Sequence, residues 1–139
     1  MRVFLDANVL VAVLNKEYPV FSYAARILSL ADKPAFTIYT SPVCLAIAYY
    51  FAEKKTSAKI AKAKISLLLE HIKVAGNDEL GVQQTLINKK VLNFEDGLEY
   101  YAAIQNECKC IVTENLKDFH FSEIEVLNCE SFALKYFAR

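Results

Sequence analysis

The chain has 139 residues, of which 55% are hydrophobic, 12% aromatic and 23% charged, and sixteen Lys and Arg balance sixteen Asp and Glu. That length holds one domain with one core, and so apolar a chain with only three Gly and three Pro excludes disorder, collagen-like repeats and loop-rich scaffolds. Net neutrality argues against a general polyanion coat, yet the charge is divided: residues 1–90 carry twelve basic and seven acidic residues, residues 91–139 four and nine.

Arg2–Leu5 reads as a buried strand, followed by a helix over Ala7–Lys16. Pro19 opens a second helix to Asp32, with Ala24, Ile27, Leu28 and Ala31 at steps of three and four. Pro34 breaks it, and Phe36–Thr40 is a short strand. Ser41-Pro42 has the form of a helix start, hydroxyl as N-cap and proline at the first helical position, and the helix runs to Glu53. The next helix starts at Ser57 and carries Ala61, Ile65, Leu68 and Ile72 down one side, with His71 near that face. Ile72–Ala75 is a strand ended by Gly76-Asn77. Asp78–Lys90 is helical, and Asn93 caps a helix over Phe94–Glu107 with Leu98, Tyr101 and Ala102 on its apolar face. Lys109–Thr113 is a strand, Asn115–Phe119 a turn, Glu125–Leu127 a strand and Ser131–Phe137 a closing helix. This alternation predicts an α/β fold with a parallel sheet covered on both sides, as one domain over residues 1–139.

A membrane span needs about 20 predominantly apolar residues, and the nearest charge-free stretch, Pro42 to Ala52, is half as long and holds two tyrosines. Asp6 interrupts the apolar opening where a signal peptide would continue. Cys44, Cys108, Cys110 and Cys129 form no CxxC pair and read as buried reduced thiols of a cytoplasmic protein.

Ligands of open parallel sheets bind beyond the carboxyl ends of the strands. Asp6 directly follows the first strand, with Asn8 two residues on; Asn115 and Asp118 follow the strand ending near Thr113; Asp96 lies in the first turn of a helix, preceded by Glu95. If these segments meet at one edge, three carboxylates and a carboxamide converge, a hard oxygen set suited to Mg²⁺ or Mn²⁺. Each piece also has a structural reading: Asp6 as a helix cap, Asn93 with Asp96 as a capping box, and Asn115 with Asp118 as another cap. Joint placement at one expected edge favours the site.

Val3-Phe4-Leu5-Asp6-Ala7-Asn8-Val9-Leu10 resembles the opening motif of PIN domains, the nucleases typified by VapC toxins of bacterial toxin–antitoxin pairs. Asn93-Phe94-Glu95-Asp96-Gly97-Leu98-Glu99-Tyr100 is similar to that family's central acidic motif. Ile111-Val112-Thr113-Glu114-Asn115-Leu116-Lys117-Asp118-Phe119 is similar to its Thr-x-Asp/Asn-x-x-Asp-Phe segment. The resemblance implies a three-layer α/β/α sandwich with strand order 3-2-1-4-5. It also implies metal-dependent RNA cleavage by activated water with Mg²⁺ or Mn²⁺, an RNA substrate, a homodimer and an antitoxin partner. Carried over by position, Asp6, Asp96 and Asp118 are the catalytic metal-site acids, Asn115 stands where many relatives have another Asp, and Asn8 and Thr113 are supporting residues. Many active members place a Glu where this chain has Ile47, so Glu95 or Glu99 is a candidate replacement. Fewer carboxylates weaken cation binding, and the alternative is a PIN-like domain that binds RNA or a protein without cutting.

Lys55, Lys59 and Lys62 lie at helical spacing and are candidate RNA-phosphate contacts, with a solvated face as the other reading. Tyr49-Tyr50 and Tyr100-Tyr101 could stack on bases, one member of each pair packing in the core. A haloacid-dehalogenase-type phosphotransferase also begins with a strand ending in Asp. It has a second Asp two residues later and a Thr soon after, where this chain has Asn8 and Leu10.

Overall fold

The computed structural model describes residues 1–137; the last two positions of the expected domain lie outside the described residues. Five parallel strands, β1 (Arg2–Leu5), β2 (Thr37–Thr40), β3 (Lys73–Val74), β4 (Cys110–Val112) and β5 (Glu125–Leu127), form one sheet in the order β3-β2-β1-β4-β5. Seven helices among the described residues complete a three-layer α/β/α fold: α1 (Ala7–Leu14), α2 (Val20–Ser29), α3 (Pro42–Lys55), α4 (Ala58–Leu68), α5 (Glu79–Ile87), α6 (Phe94–Gln105) and α7 (Cys129–Tyr136). The expected architecture and strand order are both present.

The central strands are continuous apolar runs because both faces of the sheet are covered. Val3 pairs with Ile38 and Cys110, and Phe4 with Tyr39 and Ile111. These residues form the buried core. With β1 flanked by β2 and β4, the chain crosses to opposite sides of β1, and the switch point falls between the carboxyl ends of β1 and β4.

Helix starts follow the expected chemistry. The side chains of Ser41, Ser57, Asp78, Asn93 and Asn128 each accept from a backbone N–H in the first turn. Helix ends differ more. The first helix stops at Leu14 rather than Lys16, because Lys16 takes a left-handed conformation with φ 52°. The sixth stops at Gln105, with Glu107 at φ 58°. The fifth ends at Ile87, where Asn88 is extended and its side chain accepts from the Lys90 N–H. The last begins at Cys129, two residues earlier than expected, under the Asn128 cap.

Two expected faces are corrected. Helix α4 ends at Leu68, so Ile72 reaches the core from the approach to β3, and His71 is exposed beside Asp32. On α6 Ala102 is inward as expected, joined by Asp96, Gly97, Glu99, Tyr100 and Ala103, while Leu98 and Tyr101 are half-buried. That half-buried flank faces the α5 side: Asn88 donates to the Tyr101 hydroxyl at 3.1 Å and Asn77 to the Leu98 carbonyl at 2.8 Å.

Candidate metal centre at the sheet switch point

Asp6 directly follows β1 and caps α1. Its Oδ1 accepts from the Ala7 N–H at 2.6 Å and its Oδ2 from the Thr113 hydroxyl at 2.7 Å. Capping and a place at the carboxyl edge of the sheet therefore coexist in one residue. Thr113, just beyond β4, is fully buried; its Oγ1 also accepts from Asn8 Nδ2 at 3.2 Å and from the Asn115 N–H at 3.0 Å. The Asn8 carboxamide oxygen in turn accepts from the Glu114 N–H at 3.2 Å. These bonds tie the segment after β1 to the segment after β4 and hold the Asp6 carboxylate in one orientation.

The two segments and the start of α6 enclose a cleft of about 430 Å³ lined by Asp6, Asn8, Glu95, Asp96, Glu99, Asn115 and Asp118. Asn115 makes no side-chain cap bond to the 3₁₀ turn over Leu116–Phe119, so its carboxamide is not engaged in the capping expected of it. Asp96 and Glu99 sit one turn apart on α6 and are only 8% and 2% exposed. Burial, then the charges of Asp118, Asp6 and Glu95, push the Asp96 carboxyl up to about 7. Burial, then the hydrogen bond and charge of neighbouring Asp6, push Glu99 up to about 11. Asp96 Oδ2 and Glu99 Oε1 are buried without a hydrogen-bond partner.

Such oxygens are costly to leave unpaired, and none of the described residues lining the cleft is basic. The donor set therefore fits a divalent cation: hard oxygens, mutually repelling carboxylates and a buried edge that no protein cation neutralises.

Ile47 lines the cleft, as its position in the motif implied. Val11 and Phe51, not expected from the sequence, complete an apolar wall with it, and Glu17 adds a sixth acid at the rim. Cys44, set aside as a core thiol, is fully buried with its sulfur among the Asp6 and Glu99 carboxylates. Only its position one turn before Ile47 could have drawn attention to it. Burial, then the charges of Glu99 and Asp6, hold the Cys44 thiol well above its ordinary range. Lys55, Lys59 and Lys62 are exposed and do not line the cleft; Lys55 donates to the Asn15 carbonyl at the end of α1 at 2.7 Å. His120 is exposed and Tyr100 buried, while Tyr50 points to solvent.

The sequence model of the PIN domain matches residues 2–117. No curated protein matches the chain significantly. Among solved structures, the chain is similar to VapBC-1 from nontypeable Haemophilus influenzae (TM-score 0.72, 19% identity, 94% of this chain and 99% of the other). It is also similar to VapBC2 from Rickettsia felis bound to a promoter DNA fragment (0.69, 22%, 92% and 98%). A third is VapC20 of Mycobacterium tuberculosis, described as a sarcin-ricin-loop-cleaving toxin (0.66, 16%, 88% and 98%). At these identities the likeness is one of fold.

Proposed function

The chain belongs to the PIN domain family, and from that premise we propose that it is a divalent-cation-dependent endoribonuclease, a single domain over residues 1–139. The observation that carries this reading is the meeting of Asp6, Asp96 and Asp118 in one cleft with two buried, unpartnered carboxylate oxygens. Asp6, Asp96, Asn115 and Asp118 hold Mg²⁺ or Mn²⁺, with Glu95 and Glu99 as the nearest further carboxylates. When bound, the cation supplies Lewis acidity at the phosphodiester and a lowered pKa for water.

The chain's own residues do the rest. Six acidic side chains line the cleft, so a phosphate enters only once their charge is offset. Thr113 and Asn8 fix the orientation of Asp6 and the position of Asn115. The wall of Val11, Ile47 and Phe51 limits water on one side of the reacting phosphate and strengthens the field of the acids. Lys55, Lys59 and Lys62 contact RNA phosphates outside the cleft. The protein acts in the cytoplasm as a homodimer restrained by an antitoxin protein; the VapBC complexes among its structural neighbours support that partner.

The test compares RNA cleavage by wild type and Asp6→Asn, purified identically, with and without Mn²⁺. Cleavage should need Mn²⁺ and fall at least about 100-fold in the variant; equal rates would assign the cleavage to a contaminant. A second reading, a PIN-like domain that binds RNA or protein without cutting, is favoured by the apolar Ile47 at the cleft wall. RNA affinity with no Mn²⁺-dependent cleavage would select it.

A further inference from the structure

The acids of the cleft are hard donors, but the cleft has a soft one at its inner end. Cys44 Sγ and one carboxylate oxygen each from Asp6 and Glu99 lie within 4.8 Å of one another, and all three residues are buried. The donors come from three elements: the end of β1, the first turn of α3 and the second turn of α6. Ser41 Oγ accepts from the Cys44 N–H at 3.2 Å and fixes that turn. Glu99 Oε1, 98% buried by residue, has no hydrogen-bond partner, and the residue lines the same cleft.

We propose that Asp6, Cys44 and Glu99 form an inner site for a thiophilic divalent cation, Zn²⁺, behind the outer acids. Zinc takes mixed thiolate and carboxylate ligands, whereas Mg²⁺ does not use sulfur. Tetrahedral bonds of about 2.0–2.3 Å place donors roughly 3.3–3.8 Å apart, a contraction that side-chain rotation supplies. Coordination releases the Cys44 thiol proton and the Glu99 carboxyl proton to solvent. Three protein ligands leave a fourth position on the cleft side. Asp6 belongs to both donor sets, so Zn²⁺ at the inner site withdraws it from the outer one and inhibits Mn²⁺-supported cleavage. That consequence, unlike the site itself, rests on the ribonuclease reading.

The experiment titrates metal-free protein with Co²⁺ and follows thiolate-to-cobalt charge-transfer absorption in the near ultraviolet. Wild type should show the band, saturating at about one equivalent per chain, with Zn²⁺ displacing it. Cys44→Ala should lose the band, and Glu99→Gln should weaken Co²⁺ binding at least about tenfold. Circular dichroism checks the fold of each variant, and Cys44→Ser replaces Cys44→Ala if the smaller side chain disturbs the core. No band in wild type, or an undiminished band in a folded Cys44 variant, overturns the site. Wild type that cleaves no RNA with any metal sinks the ribonuclease reading, while the cobalt titration still decides the inner site.

Discussion

A threonine hydroxyl donates one hydrogen bond and accepts two, and Thr113 uses all three, on Asp6, Asn8 and the Asn115 N–H. Groups that orient metal ligands typically matter by about 10–100-fold in affinity or activity. Thr113→Val should weaken Mn²⁺ binding by that factor in calorimetry, and lower the melting temperature as well, because it leaves buried partners unpaired. Unaltered affinity would mean that the Ala7 N–H and Asn8 Nδ2 hold Asp6 without the hydroxyl. The raised carboxyls also give the metal-free protein a pH dependence. Asp96 and Glu99 bind protons more tightly folded than unfolded, so the stability they confer is complete below about pH 4. It declines as pH rises, for Asp96 through about 7 and for Glu99 toward about 11. The melting temperature without metal should therefore fall from pH 5 to pH 8, and Mn²⁺ should raise it more at pH 8 than at pH 5. Calorimetric scans showing no such difference would contradict the placement of these acids. At this scale Asp6, Asp96, Asn115 and Asp118 were legible because each sits next to a strand end or helix start. Glu99 was legible only as a candidate replacement for the acid missing at Ile47, and Cys44 was not legible: whether an acid or thiol on a helix faces solvent or a site depends on what packs across from it.

Between elements, the position of Asp96 depends on how closely α6 approaches its neighbours. A methyl group on Gly97 would lie 2.4 Å from Thr85 Cγ2 and 2.8 Å from Val91 Cγ1. Thr85 is itself fixed by its hydroxyl, which donates to the Gly81 carbonyl at 2.9 Å. Gly97→Ala gains helix propensity but forces α5 and α6 apart. Overpacking of that kind costs about 1–3 kcal/mol. Urea unfolding should show a lower midpoint with an unchanged slope; a stabilised variant would show that the contact yields. Helix starts were readable because capping residues are local chemistry. The ends at Lys16 and Glu107 were not, because neither residue type announces a left-handed backbone. The inward face of α6 was read only at Ala102, because the helix packs on more than one side, which blurs the apolar stripe.

Across the whole molecule, the parallel topology brings together residues more than a hundred positions apart, as in the Thr113–Asp6 hydrogen bond. The zero net charge is a cancellation: Asp6 and Glu17 from the basic part join Glu95, Asp96, Glu99 and Asp118 from the acidic part in one cleft. The exposed lysines of α3 and α4 lie outside it. The order of the sheet was readable from the motif resemblance, while the shape of the cleft needed the packed structure. The use proposed for it, attack of water on an RNA phosphodiester under cation control, is tested by the cleavage products formed in ¹⁸O-water with Mn²⁺. Mass spectrometry should find one ¹⁸O in a linear terminal phosphate, absent without Mn²⁺ and absent with Asp6→Asn. A 2′,3′-cyclic phosphate, or the same labelled product from the variant, would contradict the account.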